Sequence, residues 1–459
     1  MPEVNNTLQE NKMGTQPVAR LLITMALPII ASMIVQALYN IVDSIFVSWI
    51  NESALSAVSL AFPVQNIMIA LSVGTATGVN ALLSRSLGEK DFEKANSFAQ
   101  HGIFLAAAIY IFNIVFAFIF VKPFMTAMVG DADPLIREYG ITYLSIVLMA
   151  GIGGPFAVMF ERLLNSTGKT HLTPASQIIG AVFNIILDPV LIFGYGPFPE
   201  LGVAGAAIAT VCGMALGAVV ALVLNIKKNK EISLSMKGFR PRKEMIGEIY
   251  KIAAPSIVMM LLMSVTNVLI NKLLISFTET AVAVAGAFHR LNSFVFFPVF
   301  GLNQAVIPLF SYNLGAKHKT RMIQTIRTAL VVGVLVMCIG TAIFEIFPTQ
   351  LMMLFNASDS MMEIGVRALR ILCLFFQTAA VSIILSSIMQ ASGYPLYSLI
   401  GSALRQIVVL VPCAYILSRF GGLEAVWWSY LVAEIISLVC VLLFFRTVYR
   451  KVIAPLPEG

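Results

Sequence analysis

The chain has 459 residues, of which 58% are hydrophobic and only 12% charged. A water-soluble domain carries roughly 25% charged residues, so this chain lacks the charge to cover a soluble surface. Its net charge of +7 could suggest a nucleic-acid partner, but the placement of the basic residues along the chain points to membrane topology instead.

Residues 1–20 are polar and read as a cytoplasmic tail. The first apolar run is too long for a signal-peptide core, and no cleavage signal follows it. Apolar runs long enough to cross ~30 Å of hydrocarbon then recur along the chain. Six are predicted in the first half, at about 21–50, 57–86, 98–121, 139–163, 173–193 and 203–226. Six more follow at about 249–277, 283–312, 325–347, 365–389, 398–417 and 423–445. The expected class is therefore an all-α integral membrane protein of twelve transmembrane helices. Its predicted parts are the tail 1–20, an N-lobe 21–226, a linker 227–248, a C-lobe 249–446 and a second tail 447–459. Alternate loops fall on opposite sides of the membrane. One side collects the middle loop, with Lys227, Lys228, Lys230, Lys237, Arg240, Arg242 and Lys243, and most other basic residues; the other side has Lys122, Arg137 and Arg419. That bias places the basic side, and both termini, in the cytoplasm.

The second half repeats the first. Pro28 recurs as Pro255, Asn40 as Asn267, Glu52 as Glu279 and Gly74 as Gly301. Ser84, Leu87, Gly88 and Lys90 recur as Ser311, Leu314, Gly315 and Lys317, at the same offset (255 − 28 = 227). Six crossings return the chain to its starting side, so the two lobes form a parallel repeat. The sixth helix has small residues at every fourth position, Gly205, Ala209, Gly213 and Gly217, a line that permits close helix packing in lipid.

Ionisable groups inside a span are costly and are functional candidates by default. On the first helix Ser32, Gln36, Asn40 and Asp43 are spaced by four, four and three, so they line one face. A polar stripe ending in a carboxylate suits an aqueous cavity. The fifth helix supplies Asn184 and Asp188 on one face, with Pro189 next to them. Proline removes a backbone hydrogen bond, which predicts a kink and a freed carbonyl near the carboxylate. Two carboxylates and an amide form a hard-oxygen site. It can hold Na⁺ or a shared proton, since close like charges disfavour double ionisation. Thr210 of the sixth helix can add a hydroxyl or bond back to its own helix.

Elsewhere, Glu161 sits near the cytoplasmic end of the fourth helix, and Lys272, His289 and Arg290 gather toward the outer side of the second lobe. Arg405 and Glu434 lie deep in the eleventh and twelfth helices, where a mutual ion pair is a possible arrangement. Met259, Met260 and Met263 of the seventh helix are flexible thioethers suited to a cavity that accepts many shapes, or to core filling. The five cysteines all fall inside spans and have no metal spacing. A Walker loop, a dinucleotide fingerprint, HExxH and CxxC are missing from the sequence, so neither an enzyme nor an ATP-driven pump is expected, and transport must run on an ion gradient.

Taken together, these motifs resemble a prokaryotic MATE (multidrug and toxic compound extrusion) antiporter over nearly the whole chain. The resemblance rests on the six-plus-six repeat and on Leu-Gly after the second and eighth spans. It rests also on Pro28, Gln36, Asn40 and Asp43, on Asn184, Asp188 and Pro189, and on Gly202 to Ala207 with Thr210. It implies two six-helix bundles in a V that alternate between outward- and inward-open forms. It implies export of organic cations or amphipathic compounds in exchange for H⁺ or Na⁺, with Asp43, Asn184, Asp188 and Thr210 as the ion site. Gln36, Tyr39, Asn40, Met259, Met263, Asn267 and Arg290 are the expected substrate-cavity residues. No cofactor is expected beyond the coupling ion. The expected setting is a monomer in the cytoplasmic membrane. Within the superfamily, the alternative is a flippase or exporter of a lipid-linked precursor or metabolite. A C-lobe carboxylate site on the seventh or tenth helix is not expected, because 252–277 and 371–389 contain neither Asp nor Glu. The repeat itself is uneven: Asp43 falls opposite Ile270, and Asp188 opposite Val411.

Overall fold

The computed structural model describes residues 11–130, 133–355 and 357–457. Residues 1–10 of the predicted first tail and 458–459 of the second lie outside the described residues. After a short helical turn at Lys12–Thr15, the first half forms six helices. They are α1 (Val18–Ser48), α2 (Glu52–Gly88), α3 (Phe92–Val129), α4, α5 (Thr173–Phe193) and α6 (Val203–Lys228). Helix α4 has two arms, Pro134–Met149 and Gly153–Ser166, bent by 45°. The second half gives α7 (Lys243–Ile275), α8 (Glu279–Gly315), α9 (Lys319–Ile346) and α10, whose arms Asp359–Cys373 and Phe376–Ala391 are bent by 47°.

The final helical stretch, Pro395–Ile453, is 59 residues long. A single straight helix of that size would extend roughly 90 Å, three times a bilayer core. Gly422 breaks it, with φ 64° and ψ −153°. The chain doubles back there, since Ser437 donates to the Gly401 carbonyl at 3.0 Å and Arg405 lies 3.7 Å from Glu434. The stretch is thus two helices, α11 (395–421) and α12 (423–448), and the expectation of twelve holds among the described residues.

The repeat reaches into turn geometry. Asn51 caps α2 by accepting from the Ala54 N–H at 2.8 Å, and Thr278, 227 residues later, caps α8 through the Thr280 N–H at 3.3 Å. Lys90 and Lys317 both take left-handed backbone, φ 59° and 58°. The turn each sits in is closed the same way: Asp91 N donates to Ser86 O and His318 N to Asn313 O, both at 2.9 Å. The best-matching stretch of the repeat is therefore a helix-ending turn made twice.

By contacts the chain forms two compact units, an N-unit (31–257) and a C-unit (1–30 with 258–459). The division falls inside α1 and α7 rather than in the polar linker. Close packing explains it. In the N-unit, the start of α7 lies so tightly on α2 that a side chain at Gly74 would collide with Ile257. In the C-unit, the start of α1 lies on α8, and a side chain at Gly301 would collide with Ile30. These pairs are related by the same offset (257 − 30 = 227).

The linker belongs to the N-unit by its bonds. Ser233 N donates to Asn96 Oδ1 at 2.6 Å, Gln100 Nε2 to Ser235 O at 2.6 Å, and Arg242 N to His101 Nε2 at 2.9 Å. His101 Nδ1 meets Ser97 O at 2.7 Å, which fixes Nδ1–H as donor and Nε2 as acceptor. Lys169 pairs with Glu231 at 3.1 Å. The C-unit core gathers Phe288, Phe296, Phe344 and Phe376 through edge-to-face contacts of 5.3–6.3 Å and a stacked Phe288–Phe376 pair at 6.5 Å.

Candidate functional site

The site lies wholly in the N-unit and is set by the packing of α5 on α6. Gly180 of α5 and Gly213 of α6 face each other: a Cβ on Gly213 would stand 2.8 Å from the Gly180 carbonyl and 2.9 Å from Asn184 Cβ. Gly205 sits against the Leu191 backbone, and Gly217 would bring a Cβ within 3.2 Å of Ser176 O. The small-residue line of α6 is thus the contact surface for α5, as its spacing predicts. With the backbones this close, Asn184, Asp188 and Thr210 are all buried.

Asn184 Nδ2 donates to Asp188 Oδ1 at 3.3 Å. Asp43 of α1 faces Asp188, so the two carboxylates meet across helices. Helix α5 continues through Pro189 to Phe193 and ends at Gly194 in left-handed conformation. Pro189 has no N–H for the Ile185 carbonyl one turn earlier. Four buried oxygens carry no hydrogen-bond partner among the described residues: Asp43 Oδ1, Asp188 Oδ2, Asn184 Oδ1 and Thr210 Oγ1. Three helices therefore direct hard oxygen atoms, two of them anionic, into one buried region. Two like charges in a poorly solvated site repel, so the cluster is relieved by taking up one positive charge. Its donor set suits a proton or a small hard cation.

All four predicted ion-site residues are brought together. Tyr39, placed by sequence among the cavity residues, lies one turn from Asp43 with its phenol near both carboxylates. Two further residues join the cluster without having been singled out in the sequence: Tyr143 of α4, which approaches Asp43, Thr210 and Gln65, and Gln65 of α2 itself. Gln65 offered a signal as a polar residue within an apolar run; Tyr143 offered none.

The rest of the α1 stripe is uneven. Ser32 is buried, whereas Gln36 and Asn40 are exposed. Met259, Met263 and Asn267 repeat every four residues on α7, with Met259 and Asn267 half-buried and Met263 exposed. Met259 Sδ accepts from Ser398 Oγ at 3.5 Å. Arg290 on α8 and Lys272 on α7 are exposed. Met259, Met263, Asn267, Lys272 and Arg290 belong to the C-unit. Glu161 accepts from Ser176 Oγ at 3.0 Å and from Gln177 Nε2 at 2.7 Å, which ties α4 to α5.

The sequence profile of the MatE family matches the chain twice, over residues 28–190 and 255–416. The matches start 227 residues apart (255 − 28 = 227), the offset of the internal repeat. The multidrug export protein MepA of Staphylococcus haemolyticus is 27% identical over 428 residues, 92% of each chain. MepA of Staphylococcus aureus is 27% identical over 423 residues, 91% of each chain. Among solved structures, an outward-facing multidrug resistance MATE family transporter of the MOP superfamily is similar with a TM-score of 0.89. It is 24% identical, over 97% of this chain and 98% of that one. A mutant of VcmN, a MATE transporter of Vibrio cholerae, gives a TM-score of 0.87 at 23% identity, over 95% and 97% of the two chains.

Proposed function

The chain belongs to the MatE family of multi-pass membrane transporters, and we propose that it is a secondary active exporter exchanging small organic cations or amphipathic compounds for H⁺ or Na⁺. The observation that carries this reading is the set of four partnerless buried oxygens on Asp43, Asn184, Asp188 and Thr210. Such a set favours cation uptake in the N-unit. Its C-unit counterparts to the two aspartates are Ile270 and Val411. The names of the relatives, multidrug export proteins, support a broad small-molecule substrate range. The excess of Lys and Arg on one side supports cytoplasmic termini and a cell-membrane location.

The coupling works by differential affinity. An ion drives export only if it binds one conformation of the alternating-access cycle more tightly than the other. Neutralising the Asp43–Asp188 repulsion changes the packing of α1 against α5, which gives the ion that preference within the N-unit.

The test is dye efflux from proteoliposomes under a pH gradient or a Na⁺ gradient, imposed separately. One of the two gradients should drive efflux in the wild type. Asp43→Asn and Asp188→Asn should each reduce gradient-driven efflux to the level of empty liposomes while the protein still inserts. Wild-type efflux by both variants, or efflux with neither gradient, would sink the assignment.

A further inference from the structure

The C-unit holds a buried polar cluster that the N-unit site does not use. Glu434 of α12 has a side chain only 5% exposed, yet its counter-ion is held loosely. Arg405 Nη1 stands 3.7 Å from Glu434 Oε2, beyond hydrogen-bond length, and Arg405 is 26% exposed. Glu434 Oε1 has no hydrogen-bond partner among the described residues. Ser382 of α10 presents its hydroxyl to the carboxylate without closing a bond, and its Oγ too has no partner among the described residues. Gln406, the residue after Arg405, likewise keeps a buried Oε1 without one.

Arg405 and Gln406 lie on a π-helical segment of α11, Leu404–Leu410. Such segments concentrate at functional sites. Of the other charges on helices packed against α12, Arg367 pairs with Glu363 and Glu424, Arg370 with Glu345 of α9, and Arg419 donates to the Tyr415 hydroxyl at 2.8 Å, while Asp359 opens the first arm of α10. Arg405 is thus the cation that faces Glu434 among the described residues.

The Glu434 carboxylate faces low-dielectric surroundings, where a charge without a hydrogen-bonded counter-ion is costly. One added proton removes that buried charge. Placed on Oε1, it turns Glu434 into an acid whose O–H donates to Ser382 Oγ, while Arg405 keeps its charge and is released toward solvent. We propose that Glu434 is a protonatable switch of the C-unit, exchanging between an Arg405-paired carboxylate and an acid hydrogen-bonded to Ser382. The site is not a repeat copy of the N-unit cluster. With Gly202 aligned to Gly422, Thr210 corresponds to Tyr430, and Glu434 sits one turn further along α12.

The test is infrared difference spectroscopy on the full-length chain in lipid nanodiscs, stepped across pH. An Asp43→Asn/Asp188→Asn background removes the N-unit aspartates, so the outcome does not depend on whether they couple transport. Over the signal of the remaining carboxylates, a protonated-carboxyl C=O component should grow as pH falls and be lost on adding Glu434→Gln. Ser382→Ala, which spares both charges, should keep the band but move it to higher wavenumber, because the acid has lost its acceptor. It also carries the test should Glu434→Gln fail to fold. A background protein with no such band overturns the proposal, as does a band that neither substitution changes.

Discussion

Single side chains decide the chemistry, because a charge inside a span is tolerated only where something compensates it. Among the described residues, neither an arginine nor a lysine pairs with Asp43 or Asp188; the groups beside them are the Asn184 amide, the Thr210 hydroxyl and the phenols of Tyr39 and Tyr143. In the C-unit, by contrast, Glu434 has Arg405. The N-unit cluster therefore carries net negative charge and the C-unit pair does not. Thr210 supplies one neutral oxygen of the four. Thr210→Val keeps the shape and removes that oxygen, so it should weaken the apparent affinity for the coupling ion about tenfold or more. Efflux rate measured against ion concentration checks this; an unchanged half-saturating concentration would show that Thr210 does not contact the ion. The aspartates were legible from sequence because a carboxylate within an apolar run stands out. Tyr143 was not, because tyrosine also occurs in spans as an ordinary packing residue, and Gln65, though polar in an apolar run, showed its place only through its contact with Tyr143.

Helix packing decides whether those side chains can meet. In lipid, apolar surface gives little drive for helices to associate, so close backbone approach through small residues carries more of the weight. The Gly180–Gly213 crossing is where α5 and α6 approach most tightly around Asn184. Gly213→Ala places a methyl against the Gly180 carbonyl and Asn184 Cβ. Overpacking of this kind costs about 1–3 kcal/mol. The thermal midpoint of the purified protein should fall by about 2 °C or more, with loss of efflux as Asn184 is displaced. An unchanged midpoint with full efflux would mean that the helices can part without consequence. The small-residue spacing was readable in the sequence. The 45° bend of α4 falls at Gly151, Gly153 and Gly154 just before Pro155, residues that loosen a helix and mark the break in the sequence. The 47° bend of α10, at Leu374 and Phe375, has neither glycine nor proline and was not legible.

At the scale of the whole molecule, the repeat duplicates the scaffold but not the paired aspartates, whose counterparts in the second half are Ile270 and Val411. Gly74 and Gly301 occupy equivalent places against Ile257 and Ile30. Gly74→Ala and Gly301→Ala should therefore lower the thermal midpoint by similar amounts, whereas carboxylate substitutions should stop coupling only at the N-unit positions. A large stability difference between the two glycine variants would break the equivalence. The compact units also part from the sequence-level lobes. Hydropathy counts spans and sees the polar linker as a boundary. Contacts assign the linker and the start of α7 to the N-unit, and the start of α1 to the C-unit.

The sequence by itself determined the class, the number of helices, the doubling and the two aspartates of the candidate site. Each of these follows from a property read along the chain: apolar run length, a fixed offset, or a charge where none is expected. The tertiary structure alone decided that Asp43 meets Asp188, that Tyr143 and Gln65 join them, that Arg405 stands beside Glu434, and that α1 and α7 are each shared between two units. Those facts depend on which helix faces lie together and how closely, and that is set by packing between residues far apart in the chain.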